Sequence, residues 1–309
     1  MSKIKQRNLK IKAIPLSLML LFSPVIAQET NLETIEIIGS KEAAQKLPGS
    51  SYYVDKNQIE NELSADINQL MKTVPGVYVR EEEGEGLRPN IGIRGATSER
   101  ADKITLMEDG VLIAPAPYSN PSAYYFPTIL RMQSIEVIKG APLLRYGPQT
   151  TGGVVNLLST QIPDQLSGRI STFFGQNKQL NTHLYFGDGS GKFQYLFEGV
   201  RRDTEGFKDL DGRSNKDTGF GISDYVIKLG YDTQNGTRIL LKAQESKETS
   251  NETYLGLTDA DFKKNPNRRY AISSIDQMKN DHQGVNLTLF QDLNDQAKFV
   301  FTIYENKFS

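Results

Sequence analysis

The chain has 309 residues, a formal net charge of −1, no cysteine and two histidines. A balance so close to neutral gives no basic field to gather nucleic acid, and no nucleic-acid partner is expected. The lack of cysteine removes disulfides and thiolate metal sites, and the isolation of His183 from His282 argues against a His-rich metal or haem centre.

Residues 1–27 form a unit of their own. Lys3, Lys5, Arg7, Lys10 and Lys12 make a positive leader, Ala13 to Ile26 is apolar, and Val25-Ile26-Ala27 offers a cleavage site. The pattern predicts a secretory signal removed near Ala27, too short to span a bilayer as a helix; the alternative is an uncleaved anchor. No later window is apolar enough for a membrane helix. Residues 28–45 are then a short periplasmic segment. Within it, Glu33-Thr34-Ile35-Glu36-Ile37-Ile38 alternates, is β-prone and stops at Gly39.

Residues 46–165 are expected to form one α+β domain. Ser64 is placed to cap a helix whose apolar face is Ile67, Leu70, Met71 and Val74, ended by Pro75-Gly76. Strands are predicted at Val77 to Val79, Ile91 to Gly95, Ile104 to Glu108, Val111 to Ile113, Ile135 to Ile138 and Val154 to Leu158. Asp109-Gly110 between two of them is a strong hairpin signal.

From residue 166 to 309 the period is two, with no helix expected. Phe193, Tyr195 and Phe197 alternate with Gln194 and Glu198. Tyr225, Ile227, Leu229 and Tyr231 alternate with Val226, Lys228 and Gly230, and Val285, Leu287 and Leu289 with Asn286 and Thr288. A soluble sandwich shows the same alternation. The connections separate the two: short turns at 188–191, 232–236 and 293–296 alternate with long polar loops at about 203–221 and 246–281, as in an outer-membrane barrel. Roughly seven strands are predicted. Seven would leave two unpaired edges in lipid, so the 309 residues are expected to be a fragment or a truncated reading frame.

Four runs in fixed order carry a family resemblance. Leu87-Arg88-Pro89-Asn90-Ile91-Gly92-Ile93-Arg94-Gly95, Met107-Glu108-Asp109-Gly110-Val111, Ile135-Glu136-Val137-Ile138-Lys139-Gly140, and Tyr146-Gly147 followed by Gly152-Gly153-Val154-Val155-Asn156 resemble the plug domain of TonB-dependent receptors. Ala116-Pro117-Tyr118 and Tyr146-Gly147-Pro148-Gln149 add a likeness to the ferric-citrate receptors. The resemblance implies an α+β plug domain followed by an antiparallel transmembrane β-barrel of about 22 strands, of which only about the first seven are present here. It implies active import of a ferric chelate, a siderophore or ferric citrate, across the outer membrane. The driving partner would be TonB with its inner-membrane energising complex, and the surroundings outer-membrane lipid and lipopolysaccharide. No cofactor and no catalytic or metal site is expected. With only Gln28 to Leu32 before the coupling peptide, transcriptional signalling is not expected either.

The resemblance also assigns roles. Glu33, Thr34, Ile35, Glu36, Ile37 and Ile38 resemble the TonB box, an accessible strand that adds to a partner's sheet edge. Arg94 and Lys139 would lock the plug to barrel-wall glutamates; Lys139 stands where Arg is usual, which loses the bidentate geometry. Glu198 is an inward-facing acidic candidate on the predicted strands. Apical loops carrying Ser98, Glu99 and Arg100, and Tyr118, Ser119 and Asn120, would meet the ligand, with Arg100 neutralising carboxylates. The bland readings are an ordinary first strand, a surface ion pair and loop packing respectively. Glu81-Glu82-Glu83 is expected to be a solvated acidic loop, and Arg201-Arg202 and Arg268-Arg269-Tyr270 could add outer positive charge. No enzyme motif is present. Alternative functions are import of another scarce ligand such as cobalamin or another metal chelate, or a non-transporting remnant or surface protein.

Overall fold

The computed structural model describes residues 35–47, 49–61, 65–113, 124–140, 151–212, 218–233, 235–251, 253, 255–294 and 297–309. The expected signal 1–27, Glu33 and Thr34, the expected cap Ser64, Tyr118, Ser119 and Asn120, and the run Tyr146 to Gln149 lie outside the described residues.

The N-terminal domain starts with α1 (Lys41–Lys46), whose cap Ser40 accepts from the Ala43 N–H. It continues through β1 (Ser50–Val54) and α2 (Lys56–Asn61) to α3 (Ile67–Lys72). Each helix has six residues, fewer than two turns, so α1 and α2 left no periodicity to read. Asp66 caps α3 by accepting from the Asn68 N–H at 2.8 Å, and Ile67, Leu70, Met71 and Val74 are all buried. Gly76, at φ +73, turns the chain into β2 (Val77–Arg80), which pairs antiparallel with β3 (Asn90–Ile93).

β4 (Ile104–Glu108) and β5 (Val111–Leu112) form the hairpin predicted at Asp109-Gly110. Both turn residues have positive φ, 50° and 76°, as a type I′ turn requires. With β6 (Met132–Lys139) and β7 (Gly153–Ser159) they complete a sheet of order β1-β6-β7-β4-β5. β4 and β7 run parallel; the other pairs are antiparallel. The core holds the α3 face together with Ile91, Ile93, Ile104, Leu106, Ile135, Val137, Val155 and Leu157.

The rest of the chain is a wall: β8 (Ser167–Phe174), β9 (Leu180–Asp188), β10 (Phe193–Thr204), β11 (Asp209–Leu210), β12 (Phe220–Asp232), β13 (Thr237–Ser250), the helix α4 (Asp259–Lys264), β14 (Arg268–Arg269), β15 (Met278–Asn294) and β16 (Ala297–Phe308). Seven of these strands form one sheet in the order β16-β15-β13-β12-β10-β9-β8, each antiparallel to its neighbours. The strands beside the long connections extend further than alternation predicts. Ser246 to Ser250 and Met278 to Asp281 are paired strand, not loop. Their outward residues are polar, with Lys247 bonding Glu245 at 2.7 Å, so the apolar signal stops where the ladder continues. β11 and β14 pair in parallel and tie the two long connections together.

The wall is inside out relative to a soluble sheet. Lys228 and Lys242 are each 2% exposed and Asp224 1%, while Phe186, Leu229 and Phe301 are 47%, 45% and 53% exposed. A sheet that buries ions against a folded domain and turns Phe, Leu and Ile outward fits hydrocarbon on its outer face. Placing Arg at Leu229 is expected to destabilise the wall in lipid by about 2–4 kcal/mol, read by urea unfolding in bilayers. Unchanged stability would contradict an outer face in hydrocarbon.

Candidate functional site

Two arrangements join the elements. The first holds Ile35 to Ile38, the described part of the expected coupling segment. Residues 35–38 are not a strand. They lie folded onto the N-terminal sheet, with Ile38 buried among Ala44, Met107, Ile138 and Val154. Glu136, fully buried on β6, accepts from the N–H groups of Ile37 (2.9 Å), Ile38 (2.6 Å) and Gly39 (2.9 Å). Asn156, opposite it on β7, donates to Glu136 at 2.9 Å and to the Ile35 carbonyl at 3.3 Å.

The second is a buried ionic network between the N-terminal domain and the wall. Arg131 precedes β6 and is fully buried. Its Nη2 donates to Glu108 Oε2 at 2.9 Å and to the Tyr125 hydroxyl at 3.2 Å, while Nε donates to Asp224 of β12 at 2.7 Å. Lys242 of β13 reaches in to Glu108 and, at 2.6 Å, to Asp109. Lys228 donates to the Thr160 carbonyl at 2.8 Å and lies 3.6 Å from Asp109. Burial alone would raise the Glu108 carboxyl; the charges of Arg131 and Lys242 outweigh it and hold the group down at about 2. Asp109 is likewise held below the carboxylate range, burial being opposed by Lys228 and Lys242. Around this centre, Arg88 bonds Glu248 of β13 at 2.5 Å, Asn306 donates to the Leu112 carbonyl at 2.8 Å, and Tyr125 stacks on His282 with ring centres 3.9 Å apart.

The attachment is one-sided. These contacts bind β4, β5, the segment before β3, the segment leading into β6 and the end of β7. Among the described residues the ion pair from α1, β1 or α2 to the wall is Arg169–Glu60 at 2.6 Å, with both side chains about half exposed. A cavity of about 270 Å³, lined by Ile59, Met132, Phe173 and Tyr185 among others, separates α2 from β8 and β9.

The residues expected to act are distributed as follows. Ile35, Glu36, Ile37 and Ile38 lie on the N-terminal sheet. Arg94 is exposed at φ 51 with its guanidinium beside Gly140. Lys139 is buried and donates to the Pro75 carbonyl at 2.5 Å; burial, then the nearby Arg94 charge, lowers its pKa. Neither has a carboxylate within ion-pair distance among the described residues. Glu198 instead accepts from Thr160 at 2.5 Å and meets His183 at 2.7 Å. Ser98, Glu99 and Arg100 lie at a short 3-10 turn, where Arg100 bonds Glu82 at 2.8 Å. The acidic loop is not simply solvated: Glu81 pairs with Lys72, Glu82 with Arg100, and Glu83 accepts from the Arg88 N–H at 3.2 Å. The outer arginines are partnered too, Arg201 with Asp203, and Arg268 with Asp211 at 2.9 Å and Asp261 at 2.5 Å.

Sequence reasoning missed Glu108, Asp109 and Arg131 as contacts. The signal for their partners was present, since Asp224, Lys228 and Lys242 are charges at inward positions of apolar strands.

Replacing Arg131 with Met is expected to cost about 3–5 kcal/mol, because Asp224 keeps its burial and loses its cation while Glu108 is left with Lys242 alone; urea unfolding measures it, and a loss under 1 kcal/mol would contradict the network. The depressed Glu108 carboxyl stabilises the fold fully above its ordinary value near 4.5, and that contribution, about 3 kcal/mol, is lost as pH falls toward 2. Unfolding free energy should therefore drop between pH 5 and 2, and Glu108→Gln should flatten that slope.

Residues 43–154 match the family model of the TonB-dependent receptor plug domain. Over 212 residues the chain is 26% identical to the vitamin B12 transporter BtuB of Vibrio vulnificus (strain CMCP6), which spans 68% of this chain and 32% of that protein. The unliganded ferric citrate transporter FecA superposes with a TM-score of 0.72 at 20% identity, covering 88% of this chain and 41% of that one. The ferric yersiniabactin uptake receptor FyuA of Yersinia pestis gives 0.68 at 17% identity, covering 86% and 42%. The chain thus spans about a third of the curated relative and about two fifths of these solved structures. Residues 43–154 are a TonB-dependent receptor plug domain, seated against seven antiparallel strands with the fold of the same receptors' barrel wall.

Proposed function

We propose that the protein imports a ferric chelate across the outer membrane, as part of a TonB-dependent receptor and not as an enzyme. The observation that carries this is the plug domain pinned by buried ions to a wall whose other face is apolar and exposed. A plug held by polar contacts can be moved without breaking the wall, and a wall of this polarity belongs in lipid. The solved relatives named for ferric citrate and ferric yersiniabactin support the substrate class. Import of a cobalamin is the second reading, favoured by the likeness to a vitamin B12 transporter.

In this mechanism the chelate binds from outside at plug loops carrying Ser98, Glu99 and Arg100, and Tyr118, Ser119 and Asn120. Arg100 supplies positive charge, tempered by Glu82. Glu33 to Ile38 then leaves the plug for the periplasm, where TonB, driven by its inner-membrane complex, adds a strand to it. Pulling opens the least stable unit first, and the sparsely attached α1, β1 and α2 are that unit. Arg94 and Lys139, two cations side by side, would take wall carboxylates as a lock that closes behind the substrate.

Deleting residues 33–38 is expected to abolish uptake of radiolabelled ferric citrate by cells that make the protein and to leave chelate binding at the surface within twofold of the parent. Normal uptake after the deletion would overturn the coupling role. Failure of ferric citrate, with uptake of labelled cobalamin, would move the assignment to the second reading.

A further inference from the structure

Glu136 is a carboxylate in the middle of an apolar sheet, and its surroundings are unusual. Tyr53 on β1 and Asn156 on β7 are its cross-strand neighbours. Among the described residues no cation lies within ion-pair distance of it. Its compensation is instead a set of N–H donors: three successive backbone groups, Ile37, Ile38 and Gly39, and the Asn156 amide. Asn156 extends the grip, since its Nδ2 also reaches the Ile35 carbonyl and its Oδ1 accepts from the Gly110 N–H at 3.0 Å. Ile35 lies against that turn so closely that a Cβ on Gly110 would stand 2.6 Å from its Cγ2.

Glu136 contacts the segment through its backbone, and it binds the groups that strand pairing uses. An extended segment presents alternate N–H groups to one edge, so a partner strand added at residues 37–39 needs one or two of the three that Glu136 holds. Docked and paired states therefore exclude each other. Leaving the dock also strips a buried carboxylate of three donors, which is costly in an apolar interior.

We propose that Glu136, positioned by Asn156, is the latch that retains the coupling segment on the plug and sets how readily a partner strand can take it. The inference rests on the proposed coupling role of residues 33–38. Glu136 acts as a positioning residue, holding backbone and touching no substrate.

The chain has no cysteine, so a single introduced thiol is a unique reporter. With the protein in lipid bilayers, Ile38→Cys reports release of the segment and Thr105→Cys in β4 reports opening of the plug; both positions are 7% exposed. Labelling by a water-soluble maleimide is measured with and without Glu136→Gln, which keeps the shape and removes the charge. The expected result is a rise of about tenfold in labelling at position 38, the change that loss of one charge-assisted hydrogen bond produces, with position 105 unchanged. An unchanged rate at position 38 overturns the latch. An equal rise at both positions also overturns it, because Glu136 would then serve plug folding alone. The assay contains neither partner nor chelate. It can fail while the coupling role stands, and normal uptake after deletion of 33–38 would remove that role without touching this result.

Discussion

The buried bridge from Glu108 through Arg131 to Asp224, with Lys242 closing on Glu108 and Asp109, is the contact on which the arrangement of plug and wall depends. Oily contacts could not serve in its place. The wall must present its apolar side to lipid, so its inner face is the polar one. A domain seated there has to be held by hydrogen bonds and charge. Such pairs add little net stability when complete and cost several kcal/mol when one member is lost. That asymmetry fixes the plug in one register without adding much net stability.

The network divides the plug. The β4–β5 hairpin and the inner ends of β6 and β7 are pinned to β12 and β13. Of the first three elements, α2 faces the wall across a cavity and an exposed ion pair. The proposed coupling segment belongs to that loose side in sequence, but it is fastened to the firm side, on Glu136 of β6 and Asn156 of β7.

Much of this was legible in the sequence, and the exceptions have physical causes. The α3 face, the Asp109-Gly110 hairpin and the inside-out strands were readable because each rests on a local period or turn rule. α1, β1 and α2 were not, being too short for a period. The upper ends of β13 and β15 were read as loop because their outward residues are polar once the ladder leaves the apolar band. Of residues 35–38, the alternating pattern was legible and the folded-back conformation was not. Residues 35–38 look like a free strand, and groups about 100 residues and more further on, Glu136 and Asn156, hold them folded back. Arg131 and Glu108 were hidden for the same reason, since their partners on β12 and β13 are distant in sequence and carry no motif.

Native-state hydrogen exchange of the protein in lipid bilayers tests the divided attachment most directly. The account predicts slow exchange for amides of β4, β6 and β7, and exchange at least tenfold faster for those of α1, β1 and α2, because local opening draws on the weakest contacts. Equal protection across both groups, or faster exchange in β4 and β7, would contradict it.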